Sequence, residues 1–210
     1  MLNPKLDNLK IHEEKGKGVY IDGIVETFCC DDTEVYELMK KGNEARSVAA
    51  TLMNAESSRS HSIFILTIVM NNTEDGSCKT GKLYLVDLAG SEKISKTGAA
   101  GSTLKEAQNI NLSLTTLGKV IVALTDKKAT HVPYRESKLT RILSESLGGN
   151  SKTCLIITAS PHPYNDAETL STLRFGQRAR NIKNTPSVNR EYTVPELKRI
   201  LEQKEVVIAN

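Results

Sequence analysis

Apolar positions recur along the chain in two rhythms, and the changes between them mark the elements. Residues 83–86, Leu-Tyr-Leu-Val, run unbroken into Asp87, the pattern of a strand buried on both faces of a sheet flanked by helices. A second apolar run over residues 63–70 and the polar stretch 71–81 between the two predict an antiparallel pair. Leu104, Ala107, Ile110, Leu114, Leu117, Ile121 and Leu124 repeat at intervals of three and four, which predicts one long amphipathic helix. Asp32 can cap a helix running to Lys41 and stopped by Gly42, with a second helical piece over residues 45–53. Leu139, Ile142, Leu143 and Leu147 line a further helix, entered from an extended stretch at 130–134 and ended by Gly148-Gly149. Asn165 with Glu168 resembles a capping box for a helix through Ile182. Residues 9–13 and 19–28 are short strand candidates, and 154–159 is another buried strand broken by Ser160-Pro161. Residues 185–194 hold Pro186 and no helical period, so they form an extended linker. Thr193 and Glu196 then open a last helix, in which Leu197, Leu201, Lys204 and Ile208 step as a coiled-coil seam does.

Composition narrows the class. A chain of 210 residues can bury one sizeable core, and one domain is the default. Lys and Arg total 28 against 25 Asp and Glu, and a net charge of +3 is too mild to demand a polyanionic partner. Cys29, Cys30, Cys78 and Cys154 have no metal-ligand spacing and read as reduced thiols of a cytosolic protein. The first residues lack a signal-peptide pattern, and the run at 63–70, interrupted by Thr67, is far too short to span a bilayer.

Two stretches carry candidate chemistry. In open α/β sheets ligands sit beyond the carboxyl ends of strands, so Asp87 is placed to hold a metal ion through water. Gly90 allows close backbone approach, and its N–H can meet a phosphate oxygen. The plainer alternative is a core strand whose Asp and Gly start a turn. Residues 54–61 read Asn-Ala-Glu-Ser-Ser-Arg-Ser-His, too polar for a core, and hydroxyls both ligate Mg²⁺ and donate to phosphate. Here the alternative is a solvated loop leading into the next strand.

Together, residues 54–61 and 87–92 (Asp-Leu-Ala-Gly-Ser-Glu) resemble the switch I and switch II loops of the kinesin motor domain. Residues 131–153, beginning His-Val-Pro-Tyr-Arg-Glu-Ser-Lys-Leu-Thr, and residues 168–184, Glu-Thr-Leu-Ser-Thr-Leu-Arg-Phe-Gly-Gln-Arg-Ala-Arg-Asn-Ile-Lys-Asn, are further signatures of that family. The resemblance covers nearly the whole chain and is greatest to the conventional heavy-chain type. It implies an α/β fold, the C-terminal part of the kinesin P-loop NTPase-like motor fold. That fold has a central, mostly parallel sheet with flanking helices, here incomplete at the N-terminus. The family's phosphate loop, Gly-x-x-x-x-Gly-Lys-Ser/Thr, lies upstream of switch I, and nothing in these 210 residues matches it. The implied organisation is motor domain over 1–184, neck linker over 185–195, and the start of a neck helix or coiled coil over 196–210.

The resemblance implies a microtubule motor, directed toward the plus end, that couples ATP hydrolysis to movement. Such a protein works in the cytoplasm on the cytoskeleton, with ATP and Mg²⁺ as its ligands and a homodimer through the neck as an option. The alternative is a non-catalytic microtubule-binding protein derived from such a motor. By the same resemblance Asn54, Ser57, Ser58 and Gly90 bind nucleotide, while Ser58 and Asp87, the latter through water, hold Mg²⁺. Arg59 and Glu92 form the inter-switch salt bridge that closes over the phosphate, and Asn111 faces the nucleotide end of the long helix. Lys93, Lys96, His131, Tyr134, Arg135, Lys138 and Arg141 match tubulin-contacting positions, and Asn189 the latch of a docked neck linker. On charge alone this basic face suits nucleic acid equally, but no aromatic interleaving or RNA-binding motif accompanies it.

Overall fold

The computed structural model describes the backbone of residues 3, 6, 8–14, 18–52, 60–91 and 102–208, and their side chains apart from 47–52, 102–110, 203, and 205–208. The chain divides into two units, residues 1–62 with 88–186, and residues 63–87 with 187–210.

In the first unit β1 (Ile11–Glu14) and β2 (Gly18–Ile21) pair antiparallel, from Ile11 opposite Ile21 to Glu14 opposite Gly18. The second strand is shorter than the apolar pattern predicted, because Gly23 takes a φ of +73° just beyond it. Helix α1 spans Asp32–Leu52 without a break. Its cap lies one residue earlier than expected: Asp31 Oδ1 accepts the Glu34 N–H at 2.9 Å, and Glu34 Oε2 accepts the Cys30 N–H at 2.7 Å. Gly42 does not stop the helix. Past it, Arg46 is buried and bonds Ser60, a tertiary anchor that outweighs the roughly 1 kcal/mol a helical glycine costs.

Helix α2 (Ser102–Thr125) is the long amphipathic helix the three-and-four spacing predicted. Its Leu117, Val120 and Ile121 are buried, as are Leu139 and Leu143 of the neighbouring segment, and each contributes roughly 1.5–3 kcal/mol. A 3-10 turn (Tyr134–Glu136) precedes the short α3 (Lys138–Ile142), which Ser137 caps by accepting the Thr140 N–H. Thr140, fully buried, is satisfied by donating its hydroxyl to Tyr134 O at 2.8 Å. Helix α4 covers Asp166–Ala179, after a 3-10 turn at Pro163–Asn165. The expected capping box does not form. Asn165 makes no side-chain cap and instead donates Nδ2 to Ser160 Oγ at 3.2 Å.

Residues 154–159 form no strand, and Leu155, Ile156 and Ile157 are exposed, contrary to the buried strand expected there. Strand-like composition needs a ladder neighbour, and no strand among the described residues pairs with this segment.

The second unit is a three-stranded sheet in the order β3 (Ser62–Asn71), β4 (Cys78–Asp87), β5 (Arg190–Glu191), followed by α5 (Val194–Ile208). A turn over residues 72–77 joins β3 to β4, tightened by Asn72 N–H to Ser77 O at 2.8 Å and Gly76 N–H to Asn72 O at 3.0 Å. A connection this short permits only the antiparallel pairing predicted. β5 adds antiparallel to β4, Cys78 opposite Glu191 and Lys79 opposite Arg190. The mixture of helices and strands suits an α/β class, and the parallel pairs implied for its sheet are not among those described. β4 forms where the apolar run predicted, but it is not buried on both faces. Leu83 is 48% and Leu85 45% exposed, since nothing described covers those faces.

No described helix is long and apolar enough to cross a membrane.

Candidate functional site

Asn54, Ser57, Ser58, Arg59, Glu92, Lys93 and Lys96 lie outside the described residues. What is described are residues flanking the two candidate loops. Asp87 ends β4 with an exposed side chain, at the carboxyl end of the strand. Ala89 is buried and Gly90 half-buried in the turn that follows. Asn111 is half-buried on α2.

Within the first unit, His61, the last residue of the 54–61 motif and one without a role in the sequence analysis, joins two of these elements. Its Nδ1 accepts the Ala89 N–H at 3.0 Å, and its Nε2 lies 2.6 Å from Ser113 Oγ on α2. A backbone N–H can only donate, so Nδ1 carries no proton. The neutral ring then holds its proton on Nε2 and donates to the serine. Immediately before it, Ser60 is gripped by Arg46, whose Nε donates to Ser60 Oγ at 3.1 Å and whose guanidinium reaches Ser60 O at 2.6 Å. The end of the 54–61 motif is thereby bonded to α1, to the turn after β4 and to α2. A histidine closing a polar motif just before a strand is the only signal the sequence offered for this.

The basic residues of the first unit are exposed in part and committed in part. His131 is exposed. Arg135 pairs with Glu13 of β1 at 2.7 Å, and this guanidinium holds the Glu13 carboxyl below its ordinary range. Lys138 Nζ donates to Asn8 Oδ1 at 2.8 Å and to Leu9 O at 3.2 Å. Tyr134 turns its hydroxyl inward, donating to Leu147 O, and burial pushes its pKa up. Arg141 is half-buried. Lys119 of α2 reaches Glu136 at 2.9 Å. These side chains therefore fix the hairpin and the 3-10 turn around α3 as well as presenting positive charge.

Two asparagines frame the linker. Asn184 accepts the Gly148 N–H at 2.8 Å and donates to Ser151 O at 2.8 Å, Ser146 O at 3.0 Å and Thr153 Oγ1 at 3.0 Å. In the second unit the carbonyl of Asn189 accepts the Thr80 N–H at 3.0 Å, continuing the β4–β5 ladder. Arg190 bonds Glu196 at 2.8 Å and lies 3.8 Å from Asp75 in the β3–β4 turn. The Glu196 carboxylate also accepts the Thr193 N–H at 2.9 Å, so the expected start of the last helix is realised.

Among the described residues no group of His, Cys, Asp and Glu is arranged to hold a metal ion by itself.

The kinesin motor domain family matches residues 1–182. The kinesin heavy chain of Neurospora crassa is 61% identical over 210 residues, all of this chain and 23% of the relative. Kinesin-related protein 3 of Dictyostelium discoideum is 60% identical over the same length, 18% of that relative. A solved structure of a fast kinesin superposes with a TM-score of 0.83 at 64% identity, covering 94% of this chain and 56% of that one. A KIF14 dimer with AMP-PNP in complex with a microtubule gives 0.80 at 42% identity, over 91% of this chain and 55% of that one. The chain thus spans about a quarter of the heavy chains it matches and a little over half of the solved motors. With the match running through both candidate loops, the long helix and the basic segment beyond it, the chain belongs to the kinesin motor domain family.

Proposed function

We propose that this chain supplies the switch loops, track-binding face and neck linker of an ATP-driven microtubule motor. The observation that carries the reading is the bond from His61 to Ala89, which joins the end of one switch motif to the turn of the other. A nucleotide sensor needs its two loops mechanically linked, and a solvated loop beside an ordinary strand turn does not. The solved relatives, one a fast kinesin with an ATPase mechanism and the other a kinesin in complex with a microtubule, support the same activity.

In this reading Asn54, Ser57, Ser58 and the Gly90 N–H bind the nucleotide, and Ser58 with Asp87 through water holds Mg²⁺. The exposed carboxylate at the end of β4 suits that role. Bound Mg²⁺ neutralises charge that develops on the transferred phosphoryl group. Arg59 and Glu92 close the site and position water, and Asn111 faces the nucleotide from α2. His131, Tyr134, Arg135, Lys138 and Arg141, with Lys93 and Lys96, face the acidic track. Tyr134 acts there by shaping the segment, since its hydroxyl is committed inward.

The motor domain extends over 1–184, the linker over 185–195, with Asn189 its latch, and 196–210 begins a neck through which two copies can pair. The phosphate loop belongs to a part of the motor outside these 210 residues, and turnover is a property of the polypeptide that contains both. Motion is toward the plus end, on cytoplasmic microtubules. The test is steady-state ATP hydrolysis by the complete motor polypeptide with and without microtubules. Strong stimulation supports the motor reading, and microtubule binding without turnover replaces it with the non-catalytic one.

A further inference from the structure

We propose that His61 is a positioning residue that couples α2 to the switch backbone, one ring nitrogen serving each side. This rests on reading residues 54–61 and 87–92 as nucleotide switches. Ser113 sits on the helix that buries Leu117, Val120 and Ile121 and is joined to the basic segment by the Lys119–Glu136 pair at 2.9 Å. Ala89 N–H, the other partner, belongs to the peptide one residue before the Gly90 N–H that meets phosphate. A shift of α2 along its axis pulls on Ser113, and the 2.6 Å bond passes that pull to the imidazole ring. The ring is fixed to the main chain at Ser60, which Arg46 holds through two bonds, so it pivots instead of drifting. Its Nδ1 then moves the Ala89 peptide at 3.0 Å. The path is reciprocal by thermodynamic necessity: whatever strengthens one end changes affinity at the other by the same factor.

The two arms are separable by mutation. In His61→Asn the side-chain Oδ1 stands close to the place of Nδ1 and still accepts from Ala89, while the arm to Ser113 is gone. Ser113→Ala removes the same arm from its other end. The measurement is the ratio of microtubule affinities in the AMP-PNP and ADP states, by cosedimentation of the complete motor. It reports coupling and not the presence of a fold. Each single variant is expected to shrink that ratio about tenfold. The double variant is expected to shrink it no further, since both substitutions delete one interaction. Thermal midpoints measured alongside separate this from simple loosening, which lowers both affinities and leaves their ratio alone. A wild-type ratio in both single variants, or losses that add in the double, overturns the role of His61. A complete wild-type motor whose microtubule affinity ignores nucleotide overturns the switch reading and this inference with it.

Discussion

Gly148 takes a φ of +88°, and a Cβ there would lie 2.7 Å from Leu124 Cδ2 on α2 and 3.2 Å from the Tyr134 hydroxyl. Backbone conformation and space both demand glycine at the end of the α3 segment. Gly148→Ala is expected to lower the stability of the complete motor by roughly 1–3 kcal/mol, read as a drop in its thermal midpoint. In the proposed reading Lys138 does two jobs with one side chain. Lys138→Ala should raise the microtubule concentration needed for half-maximal ATPase, and more so as salt rises. Because Nζ also holds Asn8 and Leu9, hydrogen exchange in the β1–β2 hairpin should quicken in the same variant. An unchanged half-stimulation concentration would remove Lys138 from the track face. At this scale the sequence displayed the chemistry and hid the geometry. The hydroxyls and arginine of 54–61 are of the types a phosphate site uses, whereas His61 acquires meaning only through partners 28 and 52 residues away. No local pattern encodes those separations.

Elements were legible wherever local preference and tertiary demand agree. The spacing in α2 satisfies that condition and the helix formed as expected, while β3 and β4 pair as expected around a turn shorter than the polar stretch 71–81, because β4 starts already at Cys78. Gly42 violates it, because local preference says stop and the Arg46–Ser60 anchor says continue. A Cβ at Gly42 would meet nothing within 4 Å, so Gly42→Ala should stabilise α1 by about 1 kcal/mol, seen as a higher thermal midpoint. The segment 154–159 fails in the opposite sense, apolar enough for a strand but without a described neighbour. β5 and α5 add a dependence on pH. The Thr193 N–H holds the Glu196 carboxyl below its ordinary value, and bonds from Ser77 do the same for Asp75. A depressed folded pKa stabilises above the unfolded value and stops doing so as pH falls through the folded one. Docking of β5 on β4 should therefore weaken below about pH 4, the ordinary carboxylate range. The measurement is the protection factor of the Thr80 amide, which donates to Asn189. Glu196→Gln should make that protection less sensitive to acid, and a pH-independent factor in the unsubstituted chain would contradict the assignment.

For the molecule as a whole the question is what 210 residues can do alone. The apolar run that ends at Asp87 is written for burial on both faces, yet Leu83, Leu85 and Val86 are exposed, as are Leu155 and Ile156, at 83%, of the 154–159 segment. Apolar area on this scale and unpaired strand edges favour association between copies. Nucleotide binding faces a parallel deficit. In P-loop motors the phosphates rest on a row of backbone N–H groups and a lysine, and the chain contains no Gly-x-x-x-x-Gly-Lys-Ser/Thr. In the proposed reading the hydroxyls of Ser57 and Ser58 and the Gly90 N–H only complete a site whose phosphates that row seats, so they do not replace it. The isolated chain is therefore expected to show no low-micromolar affinity for Mg-ATP by isothermal titration and to elute in part as oligomers. Supplying the segment that bears the phosphate loop, on the same polypeptide, should restore both binding and a monodisperse, cooperative melt. The two recoveries are expected together, since one added segment is asked both to cover β4 and to carry the loop. Tight Mg-ATP binding by the isolated, monomeric chain would show that the switch half seats phosphate unaided, and the division of labour argued here would be wrong.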